Sequence, residues 1–91
     1  MFFRARRRED VGTIREGLSL LCAIPHAARL EVVENGRLDE IGNEVDVIVY
    51  GEFADAAALA AYKAHPLYQE SIHRVRPLRE MRLAADFEAP D

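Results

Sequence analysis

The segment spanning residues 44–53 constrains the fold more than any other part of the chain. Its residues alternate as in a β-strand, and one face is apolar, formed by Val45, Val47, Val49 and Phe53. The opposite face is not simply polar, because it carries Ile48 and Tyr50 beside acidic residues. A sheet that is covered on one side only normally alternates more cleanly. The segment therefore predicts a strand whose two faces are both at least partly buried.

Two helices and three further strands are predicted around this segment. A first helix should begin at the N-cap Asp10 and end near Ala23, and its apolar stripe is Val11, Ile14, Leu18, Leu21 and Cys22. Alternation predicts a strand over residues 28–34, and the two glycines of residues 35–43 predict a loop.

The second half of the chain repeats this pattern of helix and strand. Asp55 should cap an alanine-rich helix that ends at Pro66, and residues 67–75 favour a further helical turn or two. Residues 80–87 predict a last strand, and residues 2–6 a short first one. The order is βαββαβ, which predicts a ferredoxin-like α+β fold with a four-stranded, mostly antiparallel sheet and both helices on one face.

Composition narrows the class of protein. The 91 residues predict one domain over residues 1–91, and the single cysteine, Cys22, excludes an intramolecular disulfide. Cys22 is expected to be a small buried residue of the first helix. The net charge of -4 argues against a general nucleic-acid binder. No apolar run approaches the roughly 20 residues of a membrane span, and no signal-peptide pattern opens the chain. We therefore expect a cytoplasmic protein with no nucleic-acid or membrane partner.

One face of the predicted sheet has no helix left to cover it. Ile48 and Tyr50 lie on that face, and Phe2 is a further candidate. Large exposed apolar patches usually mark an interface or a ligand site, and two-fold pairing is the commonest assembly. We therefore expect a homodimer through the open sheet face. A pocket beside the sheet could then take a small apolar or aromatic ligand.

Four short motifs follow one another in an order that is similar to a known family. They are DVIVYGEF at residues 46–53, AYKAHP at 61–66, PL at 77–78 and DF at 86–87. In this order they resemble the stress-responsive dimeric α/β-barrel domain family, often called Dabb. The resemblance covers nearly the whole chain and implies a ferredoxin-like homodimer, the dimeric α/β barrel.

The same resemblance indicates candidate catalytic residues. One plant branch of the family is similar to polyketide cyclases, in which a tyrosine and a histidine move protons. Tyr62 and His65 match that pattern, whereas Tyr68 stands where the family usually has a second histidine. The histidine that is common early in the family's first strand has no counterpart here. Tyr62, His65 and Tyr68 are therefore the candidate site residues.

Each candidate also has a purely structural interpretation. His65 would cap the end of the second helix, Tyr62 would be a core ring with its hydroxyl at the surface, and Tyr68 would pack nearby. Two functions remain open at this point. One is a homodimeric small-molecule-binding or stress-related module. The other is a cofactor-independent cyclase- or lyase-type enzyme on a polyketide-like or aromatic substrate. We expect no metal and no cofactor, because no ligand cluster, phosphate loop or CxxC motif is present.

Overall fold

The computed structural model describes residues 1–36 and 45–87, in which the strands and α-helices follow one another in the order βαββααβ. The elements are β1 (Phe2–Ala5), α1 (Val11–Leu18), β2 (Arg29–Glu34), β3 (Val47–Glu52), α2 (Ala56–Ala64), α3 (Pro66–Val75) and β4 (Arg79–Leu83). Short 3-10 helices, Arg8–Asp10 and Ser19–Ala23, flank α1. The predicted ferredoxin-like α+β fold is confirmed. Residues 37–43 of the predicted loop, and Glu44 of the predicted strand, lie outside the described residues.

The four strands form one antiparallel sheet in the order β2-β3-β1-β4. β1 occupies an inner position because it pairs with both β3 and β4, and Phe3 and Ala5 on its helix-covered face are buried. Asp46 fastens β1 to β3, since its carboxylate accepts from the Ala5 amide at 2.9 Å and its own amide donates to the Phe3 carbonyl at 2.8 Å. The sheet stays open, with β2 and β4 as its edges.

The helices pack on one face of this sheet and enclose the core. Apolar side chains from both layers meet there, and the least exposed are Ile14, Leu18, Leu21, Val47 and Val75. Full burial of such a side chain stabilises the fold by about 1.5–3 kcal/mol. Gly17 lets α1 approach α3 closely, because a Cβ at this position would meet the Val75 side chain at 3.0 Å. Ser71 of α3 donates to the Gly17 carbonyl at 2.9 Å across the same contact.

The first helix differs from its prediction at both ends. Asp10 does sit at the N-cap, but its backbone is helical and its side chain caps no amide, because it closes a preceding 3-10 turn. At the other end α1 stops at Leu18 and the chain continues as a 3-10 helix. The tighter winding, about 3.0 residues per turn, carries Cys22 off the apolar stripe. The prediction of a buried Cys22 is therefore wrong, and its side chain is exposed.

The second helical region is two helices joined at a single residue. Asp55 caps α2 as predicted, accepting from the Ala58 amide at 2.8 Å. Pro66 ends α2 but also begins α3, because proline fits the first helical position, where its missing N–H costs no hydrogen bond. His65 lies between them as C-cap of α2 and N-cap of α3. No helix in the described parts of the chain is long and apolar enough to cross a membrane.

The other face of the sheet carries a continuous line of apolar side chains. The register aligns one residue from each strand in spatial order, and these four residues form the apolar row: Val33, Ile48, Phe2 and Leu83. All but Ile48, which is half-buried, are exposed by 42% or more in the single chain. Ion pairs lie on either side of the row, Arg29 with Glu31 at 2.7 Å and Arg4 with Glu80 at 2.8 Å. The predicted uncovered apolar face is thus present.

Candidate functional site

A cavity of about 190 Å³ lies beside β3 and next to Met1, the residue that precedes β1. α2 and α3 form one wall, and residues 84–87, which follow β4, form another. The lining includes residues from both faces of the sheet, with Tyr62 and Tyr68 from the helices and Phe2 and Ile48 from the apolar row. The cavity therefore lies at the boundary between the core and the open face.

Aromatic rings form the inner wall of this cavity. Tyr62 lies between two other rings, with centroid distances of 4.9 Å to Phe53 and 5.2 Å to Tyr68, the latter edge to face. Such pairs contribute about 0.5–1.5 kcal/mol beyond their area burial. Gly51 leaves room for this wall, because a Cβ there would approach the Phe53 ring to 3.0 Å.

The Tyr62 hydroxyl is a neutral hydrogen-bond donor. Burial raises the pKa of this phenol well above its usual value, and the neighbouring Tyr68 and Cys22 raise it further. Tyr62 therefore stays protonated across the physiological pH range. Its ring is buried, and no hydrogen bond of its hydroxyl to another described residue is found. The hydroxyl is available to a carbonyl or carboxylate oxygen in the cavity.

A cationic group lies next to Tyr68. Arg82 of β4 is opposite Phe3 in the register, which turns it toward the helices. One of its terminal nitrogens donates to the Tyr68 hydroxyl at 3.2 Å and lies 3.2 Å from the Met1 sulfur. The Nε of Arg82 is buried and has no hydrogen-bond partner among the described residues.

The rim of the cavity carries an ion pair. Lys63, next to Tyr62 on α2, donates to the Asp86 carboxylate at 2.7 Å. Both side chains are about half exposed, so the pair contributes at most about 1 kcal/mol to stability. It ties the segment after β4 to α2 and so defines one edge of the opening.

His65 is not brought into this cavity. Its Nδ1 accepts the Leu67 amide at 3.1 Å, so the ring caps α3, and its edge faces His26 at 6.1 Å between centroids. It is absent from the cavity lining. Of the three predicted site residues, the structure therefore groups Tyr62 with Tyr68 and sets His65 apart. Among the described residues, no cluster of three or more histidine, cysteine or acidic side chains could hold a metal ion.

Sequence reasoning missed Arg82 and Phe53 as parts of the site. Phe53 was expected on the apolar face of its strand, and that alternation was the available signal for its ring. Arg82 gave no comparable signal, because a charged residue in an alternating strand is normally assigned to the solvent side. Its position follows from the pairing of β4 with β1, which no local pattern reveals.

Comparison with known proteins identifies the family to which this fold belongs. Residues 2–89 match the Dabb family, described as the stress responsive A/B barrel domain. The chain belongs to the Dabb family. A crystal structure described as a dimeric ferredoxin-like protein of unknown function, from Thermobifida fusca YX, superposes with a TM-score of 0.78 at 23% identity. The match covers 97% of this chain and 85% of the other and supports the fold. No curated protein matches the chain.

Proposed function

We propose that residues 1–91 form one Dabb domain that acts as a homodimeric small-molecule-binding module in the cytoplasm, with the cavity beside Tyr62 and Tyr68 as its binding site. The observation that carries the proposal is the aromatic-walled cavity and the free Tyr62 hydroxyl within it. Binding pockets combine apolar and aromatic walls with a few polar groups that orient the ligand. A role in a stress response would be consistent with the family's description.

The size of the cavity favours a small ligand. Drug-sized ligands occupy pockets of about 300–1,000 Å³, whereas an apolar cavity of about 150 Å³ suffices for benzene. At about 190 Å³, the cavity suits one aromatic ring with a small polar substituent. As lined by the described residues, this cavity is too small for a long polyketide.

Binding is better supported than the cyclase-type reaction. That reaction needs a base beside the substrate. The candidate histidine, His65, does not line the cavity, and its Nδ1 accepts a hydrogen bond from the Leu67 amide. Tyr62 and Tyr68 can donate hydrogen bonds to a carbonyl oxygen, but a phenol whose pKa is raised by burial, such as Tyr62, is a poor base at neutral pH.

A second copy of the chain is the proposed partner on the open face. The apolar row crosses all four strands and leaves Phe2, Val33 and Leu83 substantially exposed. Burial of these side chains against their symmetry mates would remove apolar surface from water. The structurally similar protein from Thermobifida fusca is itself described as dimeric.

A titration with benzamide, a neutral one-ring probe, tests the binding site. Addition of benzamide to the ¹⁵N-labelled protein should shift the amide resonances of residues around the cavity. Leu59 lines the cavity, so Leu59→Trp should fill it and weaken benzamide binding at least tenfold. The matched control Ala60→Trp places the same ring on the exposed side of α2 and should leave the affinity within twofold.

Two results would count against the proposal. If benzamide shifts no resonance up to its solubility limit, the cavity does not bind even a single small ring. Equal benzamide affinities of Leu59→Trp and Ala60→Trp would locate the ligand elsewhere on the domain.

A further inference from the structure

We infer that the cavity selects anionic ligands, namely small aromatic or apolar carboxylates, and that Arg82 is the residue that recognises the carboxylate. The inference rests on the proposed function and narrows it to a chemical class. It depends on the position, burial and incomplete pairing of one guanidinium group.

Arg82 is a partly desolvated cation. It lies on the helix-covered side of β4 and lines the cavity, and its Nε is buried without a hydrogen-bond partner in the described parts of the chain. Arg82 is half-buried, and both the partial loss of its hydration without a counter-ion and the unpaired buried Nε donor are unfavourable. An anion in the cavity would offset both costs.

The cavity carries no carboxylate free to neutralise Arg82. Its charged side chains among the described residues are Lys63, Asp86 and Arg82. Asp86 pairs with Lys63 at 2.7 Å. No acidic side chain within residues 1–36 or 45–87 forms an ion pair with Arg82. The described side chains around the cavity thus leave one positive charge in excess, on the guanidinium group.

The hydroxyl groups orient the site for a carboxylate. One terminal nitrogen of Arg82 donates to the Tyr68 hydroxyl and to the Met1 sulfur, each at 3.2 Å, which restricts the rotation of the guanidinium group. Its Nε keeps an N–H group without a partner among the described residues. Guanidinium groups bind carboxylates with two parallel hydrogen bonds, a geometry that lysine cannot reproduce. Tyr62 and Arg82 both line the cavity, so the two donors lie in the same region, and the charge of Arg82 lowers the pKa of Tyr62 against the larger effect of burial. The Tyr62 hydroxyl can therefore donate to the same ligand.

Benzoate and benzamide test this inference, because they have nearly the same shape and differ in charge. At pH 7 the wild-type protein should bind benzoate at least tenfold more tightly than benzamide, as measured by shifts of amide resonances. Arg82→Met keeps an apolar stem of similar length, and it should weaken benzoate at least tenfold while benzamide changes less than twofold. Arg82→Lys keeps the charge without the planar fork and should fall between wild type and Arg82→Met.

The matched control is Arg76→Met. Arg76 is exposed at the end of α3 and does not line the cavity, so its loss lowers the net charge equally without touching the site. Benzoate affinity should stay within twofold of wild type. A loss equal to that of Arg82→Met would mean that the overall charge, and no particular residue, favours benzoate, which would overturn the assignment of Arg82.

The remaining outcomes separate the two proposals. Equal affinity of the wild type for benzoate and benzamide would overturn the anion selectivity and leave the binding function standing. Absence of binding by either probe would overturn both. A benzoate preference that survives in Arg82→Met would overturn the role of Arg82. If Arg82→Met fails to fold, the wild-type comparison and the variant Tyr68→Phe decide the question. Tyr68→Phe removes the hydroxyl that restrains Arg82, so it should reduce the preference for benzoate.

Discussion

Truncation of one exposed leucine should weaken the proposed dimer by a predictable amount. Leu83 ends the apolar row on the edge strand β4, and it is 58% exposed in the single chain. Leu83→Ala removes most of the apolar surface that this residue would bury against a second copy. Because the side chain makes so little contact within its own chain, the substitution should hardly alter the stability of the fold.

The size of the effect follows from the exposed fraction. Full burial of a leucine side chain contributes about 1.5–3 kcal/mol, so burial of the part that is still exposed contributes about 1 kcal/mol beyond alanine. A two-fold interface contains the residue twice, which gives about 2 kcal/mol per dimer. At about 1.4 kcal/mol per tenfold change, the dissociation constant should rise about 30-fold.

Fluorescence-detected sedimentation velocity measures this constant directly. Cys22 is exposed and lies on the helical side, so a dye attached there leaves the open face untouched. The control is Leu20→Ala, the same chemical change in the 3-10 helix that follows α1. This control should lower the stability of the fold and leave the dissociation constant unchanged.

Two results would refute the reasoning. Sedimentation of the wild type as a monomer at micromolar concentration would show that no second copy covers the open face. Equal dissociation constants for Leu83→Ala and Leu20→Ala would place the interface on another surface.

Three further predictions concern the helices and the buried phenol. Gly12→Ala should raise the free energy of unfolding in urea by up to about 1 kcal/mol, because a Cβ there meets nothing within 4 Å, whereas Gly17→Ala should lower it because its Cβ would press on α3. A change in the same direction in both variants would contradict the close approach at Gly17. His65→Ala should lower the melting temperature through loss of about 1 kcal/mol of capping, and His65→Asn should retain most of it, since asparagine can accept from the Leu67 amide. Equal melting temperatures for His65→Ala and wild type would show that the cap contributes nothing. Burial raises the pKa of Tyr62 above its unfolded value of about 10, so its stabilising contribution is complete below that pH and is lost as the pH rises further. Tyr62→Phe should make the free energy of unfolding less sensitive to pH between 9 and 11, and an unchanged slope would show that Tyr62 is not buried.

Local sequence patterns predicted the elements better than their junctions. The alternation around Val47 and Val49 predicted β3, and the helical stripe predicted α1. The change from α- to 3-10 winding after Leu18 has no local marker, and it alone moved Cys22 from the predicted core to the surface. Pro66 was expected to end a helix, and it also begins the next one, because a proline at the first helical position leaves no donor unpaired.

The site was predicted in part, because it depends on strand register. Tyr62 and Tyr68 are near in sequence on helical segments, so their proximity in space was foreseeable. His65 lies between them in sequence but belongs to the turn that joins α2 to α3, which directs its ring to a backbone amide. Arg82 reaches Tyr68 only because β4 pairs with β1 in the observed register, a long-range property that alternation along one strand cannot fix.

A crystal structure of the protein grown with 4-bromobenzamide tests the central claim, that the cavity beside Tyr62 binds small molecules, most directly. The account predicts an anomalous bromine peak inside the cavity, with the ligand ring against Phe53 and Tyr62 and its amide oxygen within hydrogen-bond distance of the Tyr62 hydroxyl. An empty cavity at a concentration that saturates the amide shifts in solution, or a bromine peak at any other place on the domain, would contradict it.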